Sequence, residues 1–204
     1  MLLKKIRSLF KKSRKPEIIV VSGLPRSGTS MMMEILHAGG ISLLTDNLRK
    51  ADQDNPRGYF EWERVKKLSE GNHAWLSDAV GKAVKIIAPL LPYLPDAYQY
   101  KVVFMNRNME EILSSQRKML QRRGEGPQGV EEEKMKDIFE KNLDSVFQFM
   151  NANDNVSYII CDYNDILRDP TEDIEKIRRF LDLESDIDGM VDVVDPALYR
   201  QRVS

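Results

Sequence analysis

The most constraining feature of the sequence is a glycine-containing turn between a short apolar run and a helical pattern. The β-branched run 17–21 predicts a buried strand, and residues 27–38 predict a helix that Gly39-Gly40 ends. Between them lies the segment Gly23-Leu24-Pro25-Arg26-Ser27-Gly28-Thr29-Ser30, of the form G-x-x-x-x-G. Such a turn aims backbone N–H groups and the positive end of a helix dipole at one point. The segment therefore predicts an anion site, and a phosphate fits its size.

This phosphate loop (residues 23–30) differs from the ordinary triphosphate-binding loop, G-x-x-x-x-G-K-[ST]. Thr29 stands at the lysine position, and the cation lies inside the loop as Arg26. The third predicted strand leads into Asn106-Arg107, so a cation stands where a magnesium-binding aspartate would be expected. These differences favour a metal-free site for a ligand other than a nucleoside triphosphate. A P-loop kinase for a small metabolite remains the weaker enzyme alternative.

Four apolar runs alternate with helical patterns along the chain. The predicted strands cover residues 17–21, 83–87, 101–105 and 156–161. After the first helix, further helices are predicted over residues 61–76, 108–120, 131–150 and 171–181. This alternation predicts an α/β fold, a three-layer parallel sheet of P-loop nucleotide-binding type with helices on both faces. Residues 122–130 contain three glycines and one proline, and we expect them to form a lid-like loop.

Length and composition limit the other possibilities. The chain has 204 residues, which predicts a single α/β domain. We expect this domain to comprise residues 16–204 and to follow a short extension of residues 1–15. Its one cysteine, Cys161, excludes an intrachain disulfide and a cysteine-rich zinc cluster, and a reducing cytoplasm fits best. The extension carries seven basic residues and no acidic one, with apolar residues at helical spacing. We expect either peripheral contact with an anionic membrane surface or a solvated basic tail, and no nucleic-acid partner.

Four stretches, in order along the chain, resemble the sulfotransferase superfamily. Residues 24–30 are similar to the family's 5′-phosphosulfate loop, P-[KR]-[ST]-G-T-[ST]. Residues 84–92 resemble its K-x-H-x-P strand end, and residues 162–170 its Y-E-D-[LM] segment. Asn106-Arg107-Asn108, with Ser115 eight residues after the arginine, is similar to the 3′-phosphate motif. Together these stretches span nearly the whole predicted domain, and the first and the 3′-phosphate motif are the specific ones.

The resemblance implies a bacterial-type sulfotransferase that uses 3′-phosphoadenosine 5′-phosphosulfate (PAPS) without a metal. PAPS carries anions at two ends, so a protein needs two anion sites to hold it. Arg107 and Ser115 follow a different strand from the phosphate loop, at the sheet edge where open α/β sheets bind ligands. Arg107 can donate two N–H groups to one phosphate in a bidentate hydrogen bond. The predicted donor-binding residues are Gly23, Pro25, Arg26, Ser27, Gly28, Thr29, Ser30, Arg107, Ser115 and Tyr163.

Catalytic roles follow from the same resemblance. We expect Arg26 to neutralise charge on the oxygen that bridges sulfur and phosphorus, and Lys85 to bind the transferring sulfuryl group. The cytosolic branch of the family places a histidine two residues after the strand lysine, but Ile87 stands there. Other branches use a glutamate downstream of the first helix. That position favours Glu61 as the base, with Glu63 and Asp54 as the next candidates. We expect Glu61 to lie at the head of a helix and to face an apolar cleft.

The sequence leaves the acceptor open. A hydroxyl or an amine on a sugar, lipid, peptide or small alcohol would serve, with a glycan or lipid-linked acceptor slightly favoured. The missing histidine also keeps open a degenerate nucleotide-binding domain without transferase activity.

Overall fold

Four parallel strands form one sheet in the computed structural model, which describes residues 15–52, 55–122, 124 and 132–198. The strands are β1 (Glu17–Gly23), β2 (Ala83–Lys85), β3 (Gln99–Asn106) and β4 (Val156–Asp162). Their order in the sheet is β2-β1-β3-β4. Gly23 at the end of β1 pairs with Met105 on β3, so the phosphate loop and the turn after β3 begin side by side.

Within the described ranges, six α-helices and four short 3₁₀ helices accompany the strands. The α-helices are α1 (Thr29–Ala38), α2 (Met109–Arg122), α3 (Glu132–Ala152), α4 (Tyr163–Arg168), α5 (Pro170–Leu181) and α6 (Asp188–Asp192). The 3₁₀ helices are Glu63–Glu70, Ala74–Ala79, Ala88–Tyr93 and Pro196–Leu198. Among the residues described, no helix is both long and apolar enough to cross a bilayer.

The sheet is covered on both faces, because the central strands are apolar on both sides. On one face, Ile18, Val20 and Phe104 pack with α3 and with the first three 3₁₀ helices. On the other face, Val21 and Val103 pack with α1, α5 and α6. The predicted three-layer α/β architecture is therefore confirmed.

The helix predicted over residues 61–76 is wrong. Two 3₁₀ helices, Glu63–Glu70 and Ala74–Ala79, occupy this region instead. Gly71 ends the first in a left-handed conformation, with φ of 77°. Val65 and Leu68 are buried three residues apart, a spacing that suits a 3₁₀ helix. Apolar periodicity alone could not distinguish this arrangement from one continuous α-helix.

The second strand is shorter than predicted, since β2 ends at Lys85 and not at residue 87. Ile86 still donates its N–H to the carbonyl of Val21, but Ile87 already precedes the next 3₁₀ helix. Pro89 lies in the first turn of that helix, where its missing N–H costs no intrahelical hydrogen bond. Residues 1–14, Asp54 and most of the predicted 122–130 loop lie outside the described residues.

The phosphate loop enters α1 through a glycine that no other residue could replace without strain. Gly28 precedes the helix with φ of 97°, in the left-handed region. A Cβ atom at this position would overlap the ring of Tyr163. Tyr163 is the first residue of α4, directly after β4, and is buried. The loop after β1 and the end of β4 are therefore packed in direct contact.

Gly28→Ala should destabilise the fold more than Gly40→Ala. Both positions have positive φ, but a Cβ at Gly40 meets nothing within 4 Å. The backbone strain alone costs about 1–3 kcal/mol, and overlap with the Tyr163 ring adds a similar amount to Gly28→Ala. Urea denaturation of both variants measures the difference. Equal losses of unfolding free energy would contradict the Gly28–Tyr163 contact.

Candidate anion-binding and catalytic site

The carboxyl ends of the strands open into one cavity of about 270 Å³. Most of the predicted site residues line it, namely Pro25, Arg26, Gly28, Thr29, Ser30, Glu61, Lys85, Arg107, Ser115 and Tyr163. Gly23 and Ser27 do not line it. Ser27 is buried behind the loop against Gly23, and its hydroxyl has no hydrogen-bond partner among the described residues. The structure therefore brings both predicted anion clusters into one cavity.

Two hydrogen bonds of Arg26 join these clusters. Its Nε donates to Ser115 Oγ at 2.9 Å, and its carbonyl oxygen accepts from a terminal nitrogen of Arg107 at 2.9 Å. Arg26 itself has φ of 74°, an uncommon conformation for a non-glycine residue. The loop backbone is thus held in a strained form by contacts with Arg107, just before α2, and with Ser115 within that helix.

Arg107 is held from several sides. Its Nε donates to Glu111 Oε2 at 3.0 Å, and both side chains are almost fully buried. Its guanidinium carbon lies 4.3 Å from the centre of the Tyr163 ring, a cation–π distance. Glu111 Oε1 also accepts from Asn164 at 3.2 Å. Sequence reasoning missed Glu111 and Asn164, although the i, i+4 spacing of Arg107 and Glu111 could have indicated the pair.

Lys85 lies at the end of β2 and is 8% exposed. Its Nζ donates to Ser30 Oγ at 3.1 Å and to the carbonyl oxygen of Tyr59. Burial lowers the pKa of Lys85 to about 8, with nearby Arg49 and Arg26 acting in the same direction and Glu61 acting against them. Burial is thus the main cause of the lowered pKa, and Glu61 offsets part of it.

Asn55 is a cavity residue whose role sequence reasoning missed. Its amide nitrogen donates to Ser30 Oγ at 2.8 Å and to the carbonyl oxygen of Gly58. The sequence Asn55-Pro56-Arg57-Gly58 is typical of a loop, and nothing in it predicts a contact with a helix residue 25 positions earlier.

Glu61 lines the cavity, but its predicted surroundings are wrong. Its carboxylate is about one-third exposed and accepts from Arg49 at 3.0 Å, so it faces cations and not an apolar cleft. It also does not head a helix, since the 3₁₀ helix begins at Glu63. The Arg49 guanidinium lies 3.3 Å from the centre of the Tyr59 ring. Arg49, which creates this environment, lies in a segment for which the sequence predicts no function.

The other two candidate bases lie elsewhere. Glu63 is more than half exposed, pairs with Lys66 at 2.8 Å and does not line the cavity. Asp54 is outside the described residues. Of the three predicted bases, Glu61 is therefore the one that the described structure places at the cavity.

An ionic cluster forms part of the cavity lining. Arg57 pairs with Glu34 at 3.0 Å and with Asp195 at 3.3 Å, and donates to the carbonyl oxygen of Val193. Burial raises the pKa of Glu34, partly offset by Arg57. These contacts join α1, the turn at residues 55–58 and the segment after α6. This wall was not predicted, because its members are up to 161 residues apart in sequence.

The cavity lining carries more positive than negative side chains. Seven are basic (Arg26, Arg49, Arg57, Lys85, Arg107, Lys118 and Arg122) and three are acidic (Glu34, Glu61 and Asp195). No cluster of three or more potential metal-ligating side chains occurs in the described part of the chain. The excess of positive charge suits an anionic ligand that spans both clusters.

The parallel sheet, the phosphate loop and the second cationic cluster define a P-loop-type α/β protein whose strand ends open into a cation-rich cavity. The family model described as the sulfotransferase domain matches residues 16–199. The chain therefore belongs to the sulfotransferase domain family, whose members are transferases. A search of curated proteins found no match.

Solved sulfotransferase structures share the fold at low sequence identity. The sulfotransferase STF1 from Mycobacterium tuberculosis is 14% identical, with a TM-score of 0.57 over 96% of this chain and 76% of that one. The sulfotransferase domain of the curacin biosynthetic pathway is 12% identical, with a TM-score of 0.54 over 90% and 79%. Mouse sulfotransferase SULT7A1, complexed with PAP, is 16% identical, with a TM-score of 0.52 over 89% and 63%. At these identities the comparison establishes the fold.

Anion binding should weaken as pH rises through about 8, because Lys85 loses its charge there. Below this pH the ammonium is present and attracts the ligand, and above it the attraction is lost. Calorimetric titration with adenosine 3′,5′-bisphosphate between pH 7 and 9.5 measures the effect. Lys85→Arg should move the decline beyond this range, and Lys85→Met should bind more weakly with no decline. A wild-type affinity that stays constant across the range would contradict the role of Lys85.

Proposed function

We propose that the chain transfers a sulfuryl group from PAPS to a hydroxyl or amine of an acceptor. The observation that carries this proposal is the direct connection between the phosphate loop and the second cationic cluster, through Arg26, Ser115 and Arg107. One cavity then offers two anion sites, as a donor with a charged group at each end requires. The mouse sulfotransferase and a retinol dehydratase with the same fold were both crystallised with PAP, which supports PAPS as the donor.

The residues present fit this donor. Gly28 allows the backbone to approach a phosphate closely, and the N-terminus of α1 adds unpaired N–H groups and a favourable dipole. Thr29, Ser30 and Lys85 line the same cavity, and we assign Arg107 and Ser115, which also line it, to the 3′-phosphate. We assign Tyr163, packed beside Gly28 and Arg107, to the adenosine end. When bound, PAPS supplies an activated sulfuryl group with a stable bisphosphate as its leaving group.

Arg26 and Lys85 would act through their charge. Arg26 lies between the two clusters, so its guanidinium can offset negative charge that develops on the leaving group. A guanidinium does not give up its proton in proteins, so its role is electrostatic. Lys85, beside Ser30, would hold the sulfuryl oxygens while the acceptor attacks.

Glu61 is our candidate for the base that takes the acceptor proton. Glu61 lines the same cavity as Lys85, the group that would hold the sulfuryl oxygens, and its charge raises the pKa of Lys85, as a nearby carboxylate should. Glu34 and Asp195 also line the cavity, but both are paired with Arg57. Arg49 orients the Glu61 carboxylate through their ion pair.

Glu61→Gln should retain binding of adenosine 3′,5′-bisphosphate and lower the rate of sulfuryl transfer by about 10²–10⁴-fold, since the amide keeps the shape of the carboxylate but cannot take a proton from the acceptor. Calorimetry measures the first quantity and a labelled-PAPS assay the second. The matched control is Glu63→Gln, two residues away and outside the cavity, which should behave like wild type. Wild-type turnover by Glu61→Gln would move the base to another residue.

The function itself is tested by incubating the protein with labelled PAPS and a panel of hydroxyl and amine acceptors in the presence of a chelator. We expect transfer by wild type and a large loss with Arg26→Ala, because the leaving-group charge is then less stabilised. Unchanged turnover in Arg26→Ala would reject its role. Bisphosphate binding without transfer to any acceptor would favour a degenerate binding domain, and stabilisation by MgATP would favour a kinase.

A further inference from the structure

The hydroxyl of Ser30 accepts two hydrogen bonds within the protein. Lys85 Nζ lies 3.1 Å from Ser30 Oγ, and Asn55 Nδ2 lies 2.8 Å from it. A protonated lysine carries donors only, so the first of these bonds must be accepted by the serine oxygen.

The direction of the second bond follows from the neighbour of the Asn55 amide. The nitrogen of this amide also contacts the carbonyl oxygen of Gly58, which can only accept. The amide group in contact with both Gly58 and Ser30 must therefore be the NH₂ group. It follows that Asn55 donates to Ser30 Oγ as well.

With both oxygen lone pairs engaged, the Ser30 proton must point away from Asn55 and Lys85. Ser30 is the second residue of α1 and lines the cavity beside Thr29. Among the described residues, none accepts this proton. The hydroxyl is therefore presented to the cavity as a hydrogen-bond donor, next to the ammonium of Lys85 and the positive end of α1.

We propose that Asn55 is a positioning residue that fixes the Ser30 hydroxyl as a donor to an anionic oxygen at the 5′ end of the bound nucleotide. This inference rests on the proposed function, because it takes the 5′-phosphate or phosphosulfate as the acceptor of that proton. Asn55 itself is held by the turn of which it is the first residue, where Gly58 donates its N–H back to the Asn55 carbonyl at 3.1 Å. A fixed donor loses less orientational freedom on binding than a freely rotating hydroxyl.

A double-mutant cycle tests this mechanism with adenosine 3′,5′-bisphosphate as the probe. Calorimetry gives the affinity of wild type, Asn55→Ala, Ser30→Ala and the double variant. We expect each single substitution to weaken binding about tenfold, and the double variant to be no weaker than Ser30→Ala alone, because Asn55 acts through Ser30. Asn151→Ala, an exposed asparagine on α3 that accepts from Tyr158, is the control and should bind like wild type.

The contrary outcomes separate this inference from the proposed function. A double variant weakened by the product of the two single losses, about a hundredfold, would show that Asn55 acts independently of Ser30 and would overturn the inference. Absence of bisphosphate binding by the folded wild type would reject the proposed function, and the inference with it.

A second substitution covers the case in which Asn55→Ala does not fold. Asn55→Asp replaces the donor with an acceptor, so its carboxylate should draw the Ser30 proton away from the cavity. The charge of the aspartate affects binding whether or not Ser30 is present. Measuring Asn55→Asp in the Ser30→Ala background gives this charge effect alone, so that it can be subtracted. We expect a larger loss of affinity when Ser30 is present, and equal losses would contradict the mechanism.

Discussion

The site depends on the pair of hydrogen bonds by which Arg26 connects the phosphate loop to the turn before α2 and to α2 itself. Its carbonyl accepts from Arg107, and its Nε donates to Ser115. The bonds are possible because β1 and β3 are adjacent and pair in register up to Gly23 and Met105, so the segments that follow leave the sheet side by side. Two guanidinium groups would otherwise repel each other, and the carbonyl and hydroxyl oxygens between them make their proximity tolerable.

Burying several cations in one cavity costs free energy, and the cations differ in how far neighbouring groups compensate their charge. Arg107 is compensated by Glu111 and by the Tyr163 ring, and this compensation keeps a buried charge in place. Lys85 is compensated less, and its pKa of about 8 reflects both its burial and the neighbouring guanidinium groups. A bound anion would favour the charged form of Lys85 and raise its pKa, so ligand binding and the ionisation of Lys85 should be coupled.

Local features of the site could be predicted from the sequence, and features that depend on distant segments could not. The strand, the glycine turn and the helix around Gly28 are consecutive, so their pattern identifies the loop. Ser115 could be predicted from its spacing to Arg107, because the two residues are separated by one strand–helix corner. The surroundings of Glu61 depend on Arg49, and the bond of Asn55 to Ser30 depends on how a loop folds back over α1. The helix predicted over residues 61–76 failed because Gly71 adopts a left-handed conformation that periodicity does not record.

The central claim is that two anion sites belong to one ligand, and the affinities of three nucleotides test it most directly. Calorimetry at fixed salt and pH compares adenosine 3′,5′-bisphosphate with adenosine 5′-monophosphate and adenosine 3′-monophosphate. If both cationic clusters bind the same molecule, the bisphosphate should bind at least about tenfold more tightly than either monophosphate, since charge-assisted hydrogen bonds contribute about 1.5–3 kcal/mol. A 5′-monophosphate that binds as tightly as the bisphosphate would show that Arg107 and Ser115 serve a different purpose.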